Sequence, residues 1–293
     1  MEEKNRSEKW RGEEANKFTR DELVNFLCER DPDENSLLYM EADRIRKMYM
    51  GDEVHIRGVI EFSNYCKRDC LYCGLRKSND QIVRYRMGLE GIYRAAEEAK
   101  KLNFKTVVLQ SGEDPHYSVE DLSPLIRIIR MNLNLAVTLS ILERSFEEYR
   151  RFREAGADRY LLKFETCSPS LFKRLKPDST YTERFRCLEW VQELGYQVGS
   201  GNIIGLPEQS LESLAEDILF FQKLNLDMVG IGSFIPHPNT PLKGTPSRGF
   251  GGHVQGHRFG QTCNAQCPYP CHHGRGHPSP PWGGRKPLLA GPM

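Results

Sequence analysis

Three cysteines fall within eight residues, Cys66, Cys70 and Cys73, in the run Asn64-Tyr-Cys-Lys-Arg-Asp-Cys-Leu-Tyr-Cys-Gly74. Thiolates are soft donors that select zinc or iron–sulfur clusters. Four of them would close a structural zinc site or saturate a four-iron cluster. No fourth cysteine stands nearby, so a four-iron cluster on this loop keeps one iron without a protein ligand. Such an iron can take a small molecule, as the open position of a catalytic zinc does. A zinc knuckle, or cysteines that coordinate nothing, is the plainer alternative.

The elements around this run say where it stands. Residues 54–62 read as a strand, which puts the cysteines on a loop at a strand C-terminus, the end where βα folds place chemistry. Apolar strands are then expected at 106–110, 135–140, 159–164, 198–204 and 228–232. Amphipathic helices are expected between them at 88–102, 119–131, 146–154, 182–194 and 211–224. Such alternation predicts an α/β fold with a parallel sheet covered by helices. About six βα units suit an incomplete (β/α)8 TIM-type barrel; a doubly wound sheet is the structural alternative. Residues 13–50 read as helical, opened by the capping-box pattern Thr19-Arg-Asp-Glu22. The expected division is a helical extension over 1–50, a barrel core over 51–246 and an aberrant low-complexity tail over 247–293.

Bulk properties narrow the function classes. The chain has 293 residues, 39% hydrophobic and 28% charged, with a formal net charge of +1. That balance gives no argument for nucleic acid or a membrane surface as partner. The charged N-terminus has no apolar core of a signal peptide, and no run reaches the roughly 18 apolar residues of a membrane span. Nine cysteines without an export signal point to a reducing, cytoplasmic setting.

Other residues could serve chemistry beside the cysteines. Gly112-Glu113-Asp114-Pro115 ends the second strand, where glycine allows close approach and a carboxylate accepts from an ammonium; an ordinary βα turn explains the same residues. Thr138 and Ser140 end the third strand and Glu165 the fourth, while Arg184 opens the next helix region. Arg57, in the expected first strand, needs a partner or ligand if it points into a barrel.

Taken together, these runs resemble a known family. Cys-x3-Cys-x2-Cys with an aromatic before the last cysteine is the signature of the radical S-adenosylmethionine (SAM) superfamily. Val54-His-Ile-Arg-Gly58, Tyr72-Cys-Gly-Leu-Arg76, Leu109-Gln-Ser-Gly-Glu-Asp-Pro115, Asp158-Arg-Tyr-Leu-Leu162 and Met228-Val-Gly-Ile-Gly-Ser-Phe-Ile-Pro-His-Pro238 resemble HydE-type maturases of [FeFe]-hydrogenase. The resemblance implies a [4Fe–4S] cluster on Cys66, Cys70 and Cys73, and SAM chelating the open iron. Its methionine end would meet Gly112, Glu113, Asp114 and Pro115, with Glu165, Arg184, Thr138 and Ser140 completing the cofactor site. Arg57 and Gln110 would hold an iron- or sulfur-bearing, amino-acid-derived substrate, with Lys163 standing where a family arginine lies. A ferredoxin or flavodoxin and the other hydrogenase maturases would be partners. Methylornithine synthase-like and biotin synthase-like enzymes, or an inactive remnant, are the alternatives.

The resemblance stops after Pro246. From there to the end, Asp and Glu are absent while Gly, Pro and His crowd. Read one nucleotide later, back-translation of 252–282 permits FKVIALARLV followed by PATTAVGTLHPLG, which resembles the barrel region expected next. The tail therefore reads as a frameshift product, and Cys263-x3-Cys267-x3-Cys271 as accidental rather than a second metal site. Resequencing the locus is expected to reveal the shift; one intact frame encoding the tail as written, in several isolates, would refute it.

Overall fold

The computed structural model describes residues 18–28 and 32–246. Two helices come first, α1 (Arg20–Cys28) and α2 (Pro32–Met50). Thr19 caps α1 as the sequence predicts: its hydroxyl accepts from Glu22 N at 3.3 Å and the Glu22 carboxylate accepts from Thr19 N at 2.7 Å. Strands and helices then alternate: β1 (Gly58–Ser63), α3 (Leu89–Lys101), β2 (Thr106–Ser111), α4 (Val119–Leu133), β3 (Ala136–Ser140), α5 (Phe146–Glu154) and β4 (Arg159–Leu161). Two helices follow β4, α6 (Pro169–Leu175) and α7 (Tyr181–Glu193). The chain continues with β5 (Gln197–Ser200), β6 (Ile203–Ile204), α8 (Leu211–Lys223), β7 (Met228–Val229) and β8 (Gly232–Ser233).

All pairings between these strands are parallel, in the order β1-β2-β3-β4-β5-β7, with β6 pairing β8 as a continuation of the last two. Sequential order decides between the two expected architectures. A doubly wound sheet reverses direction around its first strand, whereas this sheet advances one neighbour at a time, as a barrel wall does. It is an arc of a TIM-type barrel. Among the described residues, no strand pairs the outer edge of β1 or of β7.

Side-chain alternation gives the sheet two faces. Ile60, Phe62, Val107, Leu109, Val137 and Leu139 point outward and are buried in one core with the helices. Glu61, Gln110, Thr138, Ser140 and Lys163 have the opposite parity and face the barrel interior. Leu23 and Leu27 of α1 enter the same core, and Arg20 meets Glu216 of α8 at 3.2 Å. The expected first strand begins late: Val54 and Ile56 are exposed, at 76% and 66%, and only from Gly58 does β2 offer partners. None of the described helices is long and apolar enough to cross a membrane.

A buried carboxylate ties the β4–α6 loop to the break between β5 and β6. Asp217 of α8 accepts from Cys167 N at 2.6 Å, Asn202 Nδ2 at 3.0 Å, Gln209 Nε2 at 3.3 Å and Thr166 Oγ1 at 3.4 Å. Burial pushes its carboxyl up to about 6, so it is ionised at neutral pH. Asp217→Ala strands these donors, and the expected loss of unfolding free energy is about 3 kcal/mol, read by urea denaturation. Because the folded value lies above the unfolded one, the wild type is also expected to lose stability relative to the variant as pH rises from 3.8 to about 6. Parallel pH curves would contradict the assignment.

Candidate functional site

The cysteine loop leaves the C-terminal end of β1 and is folded on itself by turns. Cys73 N donates to Cys70 O at 3.3 Å, and Arg76 N to Cys73 O at 3.1 Å. Cys70 is buried, while Cys66 and Cys73 are half-buried. Arg84 spans the loop's two halves, donating to the carbonyls of Asn64, Leu75, Arg76 and Asn79. Arg76 pairs with Asp69, and Asn79 Nδ2 donates to Gly74 O at 2.7 Å. A side-chain carbon on Gly112 would stand 2.1 Å from Tyr65 O and 2.8 Å from Cys66 Cβ. Only glycine lets the end of β2 lie this close, and there Glu113 N donates to Cys66 Sγ at 3.4 Å.

These donors suit an iron–sulfur cluster. Burial pushes the Cys70 thiol up to about 11 and that of Cys73 upward as well, so their thiolates need cations against them. Among the described residues, no three His, Cys, Asp or Glu side chains gather as around a single metal ion; a cubane asks instead for one thiolate on each of three irons.

Behind the loop runs a chain of alternating charges. Glu113 accepts from Arg68 Nε at 2.7 Å, Arg68 Nη2 at 2.9 Å and Lys67 Nζ at 2.8 Å. Arg68 also reaches Glu143, and Glu143 lies 2.8 Å from Arg184 Nε. Asp114 takes Arg86 in a fork, at 2.8 and 2.9 Å, and Ser63 Oγ at 2.6 Å. Both carboxylates thus have protein donors, and it is the backbone of Gly112 and Glu113 that reaches the cysteines. Pro115 lies away from them, lining a surface cavity of about 640 Å³ with Lys67, Arg144 and Trp190. Cys66, Cys70, Cys73, Glu165 and Arg184 do not line that cavity.

On the other side of the loop, polar atoms are left over. Arg184, fully buried in α7, has no hydrogen-bond partner at Nη2. Glu165 Oε2 is likewise buried without a hydrogen bond, with Lys163 Nζ 3.5 Å away. Glu165 is held at φ +69°, a left-handed conformation that costs a non-glycine residue energy and clusters at functional sites. A guanidinium nitrogen and a carboxylate oxygen buried without hydrogen bonds would each be satisfied by a ligand with both an acid and a donor group. The methionine end and ribose of SAM carry those groups.

The remaining expected residues spread along the barrel interior. Thr138 is buried with no partner for its hydroxyl, and Ser140 stands two residues nearer the cysteine end. Gln110 Nε2 donates to Glu61 Oε1 at 3.1 Å across the β1–β2 pair. Arg57 is not in a strand: it precedes β1, at the opposite end of the barrel from the cysteines, with Nη1 3.0 Å from Met228 Sδ. At Gly201 a side-chain carbon would meet Gly230 O at 1.8 Å, so this glycine serves strand contact. Sequence reasoning missed Arg68 and Glu143, whose partners come from distant segments, and the buried Lys176. It also missed His237, whose ring closes over Gly74 and whose Nδ1 accepts from Asn239 N at 3.1 Å.

Comparison with known proteins bears on this arrangement. The family model of the radical SAM superfamily matches residues 60–221. The chain is 48% identical over 229 residues to the [FeFe] hydrogenase maturase subunit HydE of Thermotoga maritima, covering 78% of this chain and 66% of that protein. It is 28% identical over 225 residues to 3-methylornithine synthase of Methanosarcina acetivorans, covering 76% and 64%. The chain thus spans just under two thirds of the length of both relatives. The crystal structure of methylornithine synthase (PylB) shares the fold, with a TM-score of 0.78 at 24% identity over 89% of this chain and 83% of that one.

Gly112→Ala, which drives a carbon into Tyr65 O, is expected to lower iron uptake on anaerobic reconstitution at least severalfold. Gly244→Ala, whose added carbon meets nothing within 4 Å, is the control. Equal iron in both variants would show that this close approach does not shape the site.

Proposed function

The chain belongs to the radical SAM superfamily, and on that premise we propose that it is a HydE-type maturase acting in the assembly of the [FeFe]-hydrogenase active centre. The observation that carries the reading is the joint one. Three thiols stand on a loop in a chain 48% identical to a HydE subunit, together with Arg184 and Glu165, each of which keeps a buried polar atom without a hydrogen bond. Cys66, Cys70 and Cys73 would hold the [4Fe–4S] cluster. When bound, the cluster supplies the electron that splits SAM into methionine and a 5′-deoxyadenosyl radical.

The chain's own residues do the positioning. Arg184 offers a fixed guanidinium fork to the SAM carboxylate, and its place is set by Glu143 and by Lys163 O, 3.3 Å from Nη1. Glu165 accepts from the ribose or amine, while Lys163 keeps its charge from facing the thiolates alone. The Gly112–Glu113 backbone turns polar groups toward the methionine end. Thr138 and Ser140 stand below, between cofactor and substrate. Gln110 and, at the far end, Arg57 would hold a small iron- or sulfur-bearing, amino-acid-derived molecule. Free thiols and a cluster of this kind suit the cytoplasm, with a low-potential ferredoxin or flavodoxin as electron source and other hydrogenase maturases as partners.

A methylornithine synthase-like activity is the second reading, favoured by the shared fold. Anaerobic protein with dithionite and SAM is expected to release 5′-deoxyadenosine, and Cys70→Ala none. The chain is expected to rescue a maturation strain lacking HydE and to leave lysine unchanged. Methylornithine formed from lysine, with no rescue, would overturn the maturase reading.

A further inference from the structure

The segment Leu175-Lys-Pro-Asp-Ser179 is laced to the cysteine loop. Leu71 N donates to Leu175 O and Asp69 N to Asp178 Oδ2, both at 2.9 Å, and Arg68 reaches Asp178 O. On its other side Ser179 Oγ donates to Glu143 Oε1 at 3.2 Å. Lys176 lies in the middle, 3% exposed, with Nζ 5.4 Å from the centre of the Phe172 ring. Asp69 and Leu71 flank Cys70, so these bonds set Lys176 against it, and burial together with Arg184 pulls the lysine below its ordinary pKa. The nearby acids are occupied elsewhere: Glu165 pairs with Lys163, and Glu143 with Arg68 and Arg184. Among the described residues no carboxylate forms an ion pair with Lys176. A buried ammonium without an acid beside it is costly unless other negative charge arrives.

We propose that Lys176 is the buried counter-charge of the cluster: its ammonium, fixed beside Cys70 by the 175–179 segment, offsets the thiolates and the incoming electron and so raises the cluster's reduction potential. This rests on the cofactor reading above. Net charge and burial set the potential of such clusters, and a cation in a dry site acts with little screening. Arg184, whose free Nη2 aims at the same space, remains the partner of the SAM carboxylate.

The test is an EPR-monitored redox titration of reconstituted wild type, Lys176→Met, Lys176→Gln and Lys176→Arg, with SAM affinity measured on each. At a fixed solution potential the reduced-to-oxidised ratio is expected to fall about tenfold in Lys176→Met and Lys176→Gln, equivalent to about 59 mV for one electron. Lys176→Arg is expected to stay near wild type, and SAM affinity to change little throughout. If both neutral variants fail to take up iron while Lys176→Arg loads normally, the charge is equally assigned to the cluster. Unchanged ratios in the neutral variants, iron loss in all three, or weakened SAM binding at an unchanged ratio would each overturn the proposal. Wild-type protein that takes up no iron would instead overturn the cofactor reading, and this inference with it.

Discussion

Thiolates repel one another, and three on one short loop stay together only if positive charge stands against them and the loop is gripped from outside. That constraint organises the top of this barrel. Burial raises the Cys70 and Cys73 thiols, so the metal-free site opposes its own ionisation. The loop cannot relax outward, because Arg84 ties four of its carbonyls and the end of β2 presses on Tyr65 and Cys66 through Gly112. It cannot tilt away either, because the 175–179 segment bonds Asp69 and Leu71 from the far side. A cluster held by these cysteines would supply the positive charge that their thiolates need.

The same logic accounts for the charges in the next layer. Glu113, Arg68, Glu143 and Arg184 alternate in sign from the surface to the barrel wall. Each acid holds an arginine, and at the inner end Arg184 keeps a buried Nη2 without a hydrogen bond. A lone buried arginine would be costly, whereas one half-satisfied by Glu143 and a carbonyl is ready for a single further anion. Glu165 reaches the same space from a strained backbone, held by Gly201 O at 2.9 Å and bridged to Asn202. Positioning is therefore done before any ligand arrives.

Much of this was legible in local sequence. The cysteine spacing needs only eight residues to be read, and the capped helices α4 and α5 announce their starts through Ser118 with Asp121 and Ser145 with Glu148. The parallel alternation carried the barrel, but strand order entered only with the pairing itself. The first strand was drawn too long because Val54 and Ile56 alternate correctly, although no neighbour meets them. Helix α6 spans only seven residues, too few for a period to show. The partners of Glu113 and Asp114, Arg68 and Arg86, come from the cysteine loop and the segment after it, which local sequence does not show. Lys176 and Glu143 carried no local signal: Glu143 is marked by Arg68, Ser179 and Arg184, all more than thirty residues away, and Lys176 by burial against the cysteine loop, which only folding brings together. The expected frameshifted tail lies outside the described residues.

The central claim is that three thiolates leave one iron corner vacant for SAM. The direct measurement is low-temperature EPR of anaerobically reconstituted, reduced protein with and without SAM. A four-iron cluster signal that changes shape and g-values when SAM is added is the predicted result, because the cofactor's amine and carboxylate bind the open iron. A signal identical in both samples, or protein that binds zinc and no iron, would contradict the account.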